Sequence, residues 1–127
     1  VEVSRVPDWQ SGLSASIAHA STLLEAHHQG LIIGLGDQAG INSDILCALT
    51  RQFQRSGKII TCNDGQVISP PAIFPRTELC VLNRLSGDEG AGKHLRQIAR
   101  EQPERIDCVA VKTIQDIDRP EDWQKLN

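Results

Sequence analysis

The sequence predicts an α/β domain: a Rossmann-like, three-layer, mixed and mainly parallel sheet with a hairpin insertion, lacking its first βα units. Three observations carry this. Amphipathic segments of helical period alternate with short, continuous apolar runs, the pattern of helices layered on a sheet. Those runs are apolar on both faces, as covered parallel strands are. One Asn-Asp-Gly signal, Asn63-Asp64-Gly65, marks a tight turn between two of them.

The first helix is expected from about Ser11 to Ala26, where Leu13, Ile17, Ala20 and Leu24 recur at helical spacing and Ser11 or Ser14 can cap the free amides. Gly30-Leu31-Ile32-Ile33-Gly34-Leu35-Gly36-Asp37 reads as a central strand ending in a glycine turn. Asn42 or Ser43 caps a second helix with Ile45, Leu46, Leu49 and Phe53 inward, ending near Ser56-Gly57. Lys58–Cys62 is a strand, paired through the Asn63-Asp64-Gly65 turn with Gln66-Val67-Ile68, after which Pro70-Pro71 break the pairing. A helix from about Thr77 to Leu85, the glycine-rich Ser86–Gly92 stretch, and a helix carrying Leu95, Ile98 and Ala99 follow. Ile106–Lys112 is a further strand. Asp118 before Pro120 opens a last short helix through Trp123 and Leu126. A sheet that starts with a helix rather than a strand and crossover leaves an apolar edge open, and Val1-Glu2-Val3 offers at most a short strand.

Composition narrows the function. At 127 residues, 39% apolar and 23% charged, the chain suits one ordinary domain with a real core. Lys and Arg total 13 against 16 Asp and Glu, a net charge of −3. That balance offers no electrostatic footprint for nucleic acid or an anionic membrane. No apolar stretch approaches the roughly 20 residues of a membrane span, and no signal-peptide pattern opens the sequence. Cys47, Cys62, Cys80 and Cys108 are dispersed in apolar settings without metal spacing. They are expected to be buried, reduced thiols, which fits a cytoplasmic protein.

Two motifs invite a nucleotide reading. Gly87-Asp88-Glu89-Gly90-Ala91-Gly92-Lys93-His94 nearly spells a phosphate-binding loop. Histidine replaces its hydroxyl, however, two acids face the phosphates, and a helix precedes it, so a helix-to-helix turn is expected. Gly34-Leu35-Gly36-Asp37-Gln38-Ala39 fits a dinucleotide fingerprint, yet the helix cap comes later, at Asn42-Ser43, and Asp37 would repel a pyrophosphate. The same residues make better sense as Gly36-Asp37-Gln38-Ala39 at the carboxyl end of a strand, where open α/β sheets bind ligands. A carboxylate there suits a magnesium ion escorting a nucleotide, or else caps the next helix.

Four ordered stretches extend that reading. Pro7-Asp8-Trp9-Gln10-Ser11-Gly12-Leu13-Ser14-Ala15-Ser16-Ile17 resembles N-P-x-W-x-x-G-M-x-x-S-L. Gly36-Asp37-Gln38-Ala39 resembles G-D-Q-P. Pro71-Ala72-Ile73-Phe74 with Leu85-Ser86-Gly87-Asp88-Glu89-Gly90-Ala91 resembles P-x-x-F and L-x-G-D-x-G-A. Asp116-Ile117-Asp118-Arg119-Pro120-Glu121-Asp122-Trp123 resembles D-I-D-T-P-E-D-L. Together they resemble the molybdenum cofactor nucleotidyltransferases, the cytidylyltransferase branch above all. The resemblance implies transfer of a nucleoside monophosphate from CTP or GTP to molybdopterin, with release of pyrophosphate and a need for Mg2+.

Residue by residue, the resemblance implies that Asp37 is catalytic and binds the metal. Gly12, Ser16, Gly36 and Gln38 would lie at the nucleotide, Asp116 and Asp118 at the pterin substrate, and Asp118 also at the metal. Gly12 and Ser16 read equally as helix-start residues, and Asp118 as an N-cap. Leu13, Ala39 and Arg119 depart from the family pattern. The family's opening strand and loop, L-A-A-G-x-S-x-R-M-G, has no counterpart here, a gap of upwards of about 30 residues. Residues 1–127 are therefore expected to be the carboxyl-terminal portion of a nucleotidyltransferase-like domain, without a triphosphate cradle and inactive alone. The alternative is a truncated, non-catalytic binding or dimerising module, a homodimer covering the open sheet edge.

Overall fold

A computed structural model describes residues 1–112 and 120–121. A 3₁₀ turn, Trp9–Ser11, leads into helix α1 (Leu13–Thr22). Strand β1 (Gly30–Ile33), helix α2 (Ser43–Ser56) and strand β2 (Ile59–Asn63) follow. The chain then reverses into β3 (Ile68–Pro75) and passes a 3₁₀ turn, Arg76–Glu78, into α3 (Leu79–Leu82). Helix α4 (Ala91–Glu101) and strand β4 (Ile106–Ala110) come last. The helix expected to open at Asp118 lies outside the described residues, Pro120 and Glu121 apart. Val1-Glu2-Val3 forms no strand.

The sheet order is β1-β3-β2-β4. β3 runs antiparallel to both β1 and β2, and β2 runs parallel to β4. The sheet is mixed, as expected, but among the described residues it is not mainly parallel in its pairings. The hairpin is the reason. Asn63-Asp64-Gly65 turns β2 straight back, and β3 takes the place between β2 and β1 that a parallel neighbour would fill. β1, β2 and β4 still share one direction around a single reversed strand.

A second correction concerns β1. Its apolar run reads as a central strand, yet among the described residues it is an edge strand with Ile32 45% exposed. An apolar pattern reports which side chains favour burial, not which strand lies alongside.

Side chains alternate across the sheet, so each strand feeds two cores. Ile60, Cys62 and Ile73 pack with Leu49 of α2 on one face. Ile59, Ala72 and Phe74 pack with Ile17 of α1, Leu82 of α3 and Leu95 of α4 on the other. Three layers result. Helix α2 begins and ends where its residues dictate: Asn42 Oδ1 accepts from the Ile45 N–H at 3.0 Å, and Gly57 closes the helix in the left-handed region at φ 65°.

Local chemistry overrides the sequence reading elsewhere. α1 stops at Thr22 rather than near Ala26, and neither Ser11 nor Ser14 caps it. Instead, the Gly87 carbonyl accepts from the Ser14 N–H at 3.0 Å and from Ser14 Oγ at 2.7 Å. The helix expected over Thr77–Leu85 divides into a 3₁₀ turn and the single turn α3. Pro70-Pro71 do not end their strand. They form a bulge in which Thr61 pairs with Ala72 and Cys62 with Ser69, leaving both prolines unmatched on β2. Of the cysteines only Cys62 is buried; Cys47, Cys80 and Cys108 are exposed, against expectation. Short strands and the outer sides of helices leave such small residues at the surface. Burial, then the neighbouring Cys108, pushes the Cys62 thiol up to about 11, so it is unreactive near neutrality.

The hairpin carries a pH dependence. Asp64 Oδ1 accepts from the Gln66 and Val67 N–H groups, each at 2.9 Å. Those bonds, Val67 first, hold the exposed Asp64 carboxyl below its ordinary 3.8. A folded-state value below the unfolded one contributes stability above the ordinary value and loses it as pH falls through the folded value. Amide exchange at Gln66 and Val67 is therefore expected to accelerate below about pH 4, and Asp64→Asn to remove that change. Exchange independent of pH-corrected acidity would contradict the assignment.

Candidate functional site

The carboxyl ends of β1, β2 and β4 all face one end of the sheet, the usual ligand-binding end of an open α/β fold. Three segments gather there: the Gly34–Ala39 turn after β1, the amino end of α1, and the Ser86–Gly92 loop before α4.

The turn carries Gly36, Asp37 and Gln38. Gln38 N–H donates to the Leu35 carbonyl and Ile41 N–H to the Gln38 carbonyl, each at 3.2 Å. Asp37 is exposed, and its carboxylate makes no hydrogen bond or ion pair among the described residues. It does not cap α2, because Asn42 holds that place. Among the described residues the Asp37 carboxylate therefore has no structural partner at this end of the sheet. Gly36 is exposed and faces open space where a side chain would sit, so packing does not demand glycine there. Gln38 is the opposite: only 7% exposed, with Nε2 donating to the Pro70 carbonyl at 3.1 Å.

Ser16 lies on α1, where it faces β1. Together with Leu13, Ile17, Gly34 and Leu35 it lines a groove of about 210 Å3. The structure thus brings Ser16 to the start of the turn that carries Asp37. Gly12 sits differently. Its φ of 102° and ψ of −175° suit glycine alone, and a Cβ there would lie 2.4 Å from the Gly87 carbonyl oxygen and 2.7 Å from Asp88 Oδ1. Gly12 therefore joins α1 to the Gly87-Asp88 loop, two of the family-like stretches in contact. Asp116 and Asp118 lie outside the described residues.

The loop is a turn, not a phosphate cradle. α3 rather than a strand precedes it, and Glu89 spends its charge inside it, accepting from the Ser86 N–H at 3.3 Å and pairing with Lys93 Nζ at 3.5 Å. Burial, then the charges of Arg105 and Arg84, hold His94 below its ordinary value. The dinucleotide fingerprint is likewise not used, since α2 begins at Ser43, well past Gly36.

The sequence reading did not single out Lys112. It lines a cavity of about 430 Å3 between the first turn of α2 and the end of β4, with Asn42, Asp44, Ile45 and Val111. The sequence reading takes Lys112 as the last residue of a strand, whereas β4 ends two residues earlier, at Ala110. Nor did it foresee Pro70 as the partner of Gln38, which only the bulge makes possible.

Among the described residues the donor set suits a divalent cation only as part of a shared shell. No group of three or more His, Cys, Asp or Glu among the described residues is placed to hold a metal ion. Magnesium-like ions, however, are often held by one or two carboxylates with substrate phosphates and water completing the shell. A lone exposed Asp37 suits a cation that arrives with a nucleotide.

Residues 1–105 match the family described as the MobA-like NTP transferase domain. No curated protein matches the chain. Among solved structures the chain is similar to Rv0371c from Mycobacterium tuberculosis H37Rv, at 25% identity and a TM-score of 0.68 over 89% of this chain and 58% of that one. It is similar to the homolog from Mycobacterium sp. strain JC1, at 26% and 0.67 over 87% and 55%. A manganese complex of Rv0371c matches at 24% and 0.64 over 87% and 58%, a likeness of fold. The chain spans a little over half the length of these structures. No helix among the described residues is long and apolar enough to cross a membrane.

Proposed function

Because this chain belongs to the MobA-like NTP transferase domain family, we propose that it serves nucleotidyl transfer from CTP or GTP to molybdopterin. A phosphate oxygen of the pterin would attack the α-phosphorus; the bond to the β-phosphate bridging oxygen would break, and pyrophosphate would leave. Such a reaction needs positioning and charge neutralisation more than covalent help. One observation carries the reading: Asp37 presents an exposed carboxylate, without a partner among the described residues, at the carboxyl end of β1.

Asp37 would hold a divalent cation, Mg2+ in this reading, whose chemistry when bound is to neutralise charge on the triphosphate. The manganese complex of Rv0371c supports a divalent ion. Ser16 and Gly36 border the same turn and would adjoin the nucleotide, with Gly12 holding the neighbouring loop. Asp118 as a second metal ligand, and Asp116 and Asp118 at the pterin, rest on the motif resemblance. The test is pyrophosphate release by a polypeptide containing residues 1–127, given Mg2+ and a panel of nucleotides and acceptors. Release with molybdopterin and CTP or GTP alone is expected. Turnover with a sugar phosphate in place of molybdopterin would overturn the substrate assignment.

The β1 edge, unpaired among the described residues, favours a second reading, a self-associating module. Ile32 is 45% exposed, and Leu13 of α1 and Leu46 of α2 are each 37% exposed. Under that reading, β1 pairs with β1 of a second copy. Ile32→Lys then weakens the dimer about tenfold or more in sedimentation equilibrium, because a charge enters the seam. A monomer at every concentration would remove this reading.

A further inference from the structure

A bulge in β3 connects the candidate site to the core, and Gln38 is the residue that reads it. Proline has no N–H for a ladder, and the Pro70-Pro71 pair stands outside the β2–β3 register, between Ser69 opposite Cys62 and Ala72 opposite Thr61. Thr61 Oγ1 closes the ladder side of the bulge by donating to the Ser69 carbonyl at 2.9 Å. The Pro70 carbonyl is thus left free of the ladder, and the Gln38 carboxamide takes it, Nε2 to oxygen at 3.1 Å. The other half of the carboxamide, Oε1, is buried with no partner among the described residues. Among the described residues a single side-chain hydrogen bond therefore ties the turn to β3. The same proline ring stands 3.7 Å from the Cβ position of Gly92, in the first turn of α4, and Pro71 stands 3.9 Å from that of Gly34. One bulge meets both the turn after β1 and the start of α4.

We propose that Gln38 is a positioning residue: by donating to the Pro70 carbonyl it sets the Gly36–Ala39 turn, and with it the Asp37 carboxylate, beside the start of α4. Its neighbour Asp37 points outward and Gln38 inward, so the two side chains divide the work of ligand and anchor. The inference rests on the reading of Asp37 as the cation ligand, but the anchor itself is testable apart from it.

The test compares the chain with Gln38→Met, which keeps the side chain's length and removes its amide. Amide exchange is expected to accelerate about tenfold or more at Ala39 and Ile41, as one buried hydrogen bond is lost. Exchange at the original rates would overturn the anchor. Should Gln38→Met fail to fold, Gln38→Asn keeps the amide but falls one methylene short of Pro70, and the same comparison applies. A second measurement separates positioning from mere structure. The Mn2+ concentration that broadens the Asp37 amide resonance should rise about tenfold in Gln38→Met, measured where both chains are fully folded. Faster exchange with an unchanged Mn2+ midpoint would overturn the positioning role. No Mn2+ effect at Asp37 in the unsubstituted chain would overturn the cation reading instead, while the exchange rates still decide the anchor.

Discussion

Gly12→Ala is expected to cost about 3 kcal/mol or more, the combined penalty of a glycine-only backbone conformation and an overfilled contact. Both causes are local and neither can relax easily. The backbone at φ 102° and ψ −175° is open to glycine alone, and the new Cβ would meet the Gly87 carbonyl at 2.4 Å, backbone against backbone. Relief requires α1 to move from the loop, which breaks the two hydrogen bonds from Ser14 to the Gly87 carbonyl. Against a domain stability of about 5–15 kcal/mol this is a large fraction. Denaturant unfolding checks it, with Gly36→Ala as the contrast. Gly36 faces open space and has no positive φ, so its substitution should shift the midpoint little. A Gly12→Ala loss below about 1 kcal/mol would mean that the contact between α1 and the Gly87 loop is not held as described.

Asp37→Ala has the largest expected effect on activity. In a polypeptide that includes residues 1–127 and carries out the transfer, it should lower pyrophosphate release about a thousandfold or more, several kcal/mol of charge stabilisation. The unfolding midpoint should hardly move, because an exposed carboxylate without a hydrogen bond among the described residues has little to contribute to folding. Asp37→Asn should fare nearly as badly, since it keeps the shape and loses the charge. Activity at the original level in Asp37→Ala would refute the metal role of this residue.

What could be read from the sequence was whatever short-range chemistry decides. Asn42 and Gly57 marked both ends of α2, and Asn63-Asp64-Gly65 marked the hairpin, because caps and tight turns are set by residues a few positions apart. The Gly36-Asp37-Gln38 turn was legible for the same reason. Neighbours distant in sequence were not. Nothing in Gly30–Ile33 says that β3 rather than a parallel strand lies beside it, and nothing at Gly12 names Gly87. Pro70-Pro71 read as a break, because missing N–H groups are visible in the sequence, whereas Thr61 and Gln38, which make a bulge tolerable there, are not recognisable as its partners. The exposed cysteines were misread because an apolar setting along the chain says little about the outer face of a helix, as at Cys47 and Cys80, or of a strand, as at Cys108. Within the candidate site, Asp37 stands out in the sequence by its place after a strand. The anchoring role of Gln38 could not.

The central claim is that the carboxyl end of the sheet, with Asp37 at its tip, receives a cation and its nucleotide. The most direct measurement is a map of Mn2+ broadening over the amide resonances, with CTP or GTP present. The expected map centres on Gly36–Ala39, extends to Ser16 and Gly87–Gly92, and vanishes in Asp37→Ala. Broadening centred on the exposed Glu25–His27 pair or on the Asp64 hairpin, with the Asp37 resonance left sharp, would contradict it.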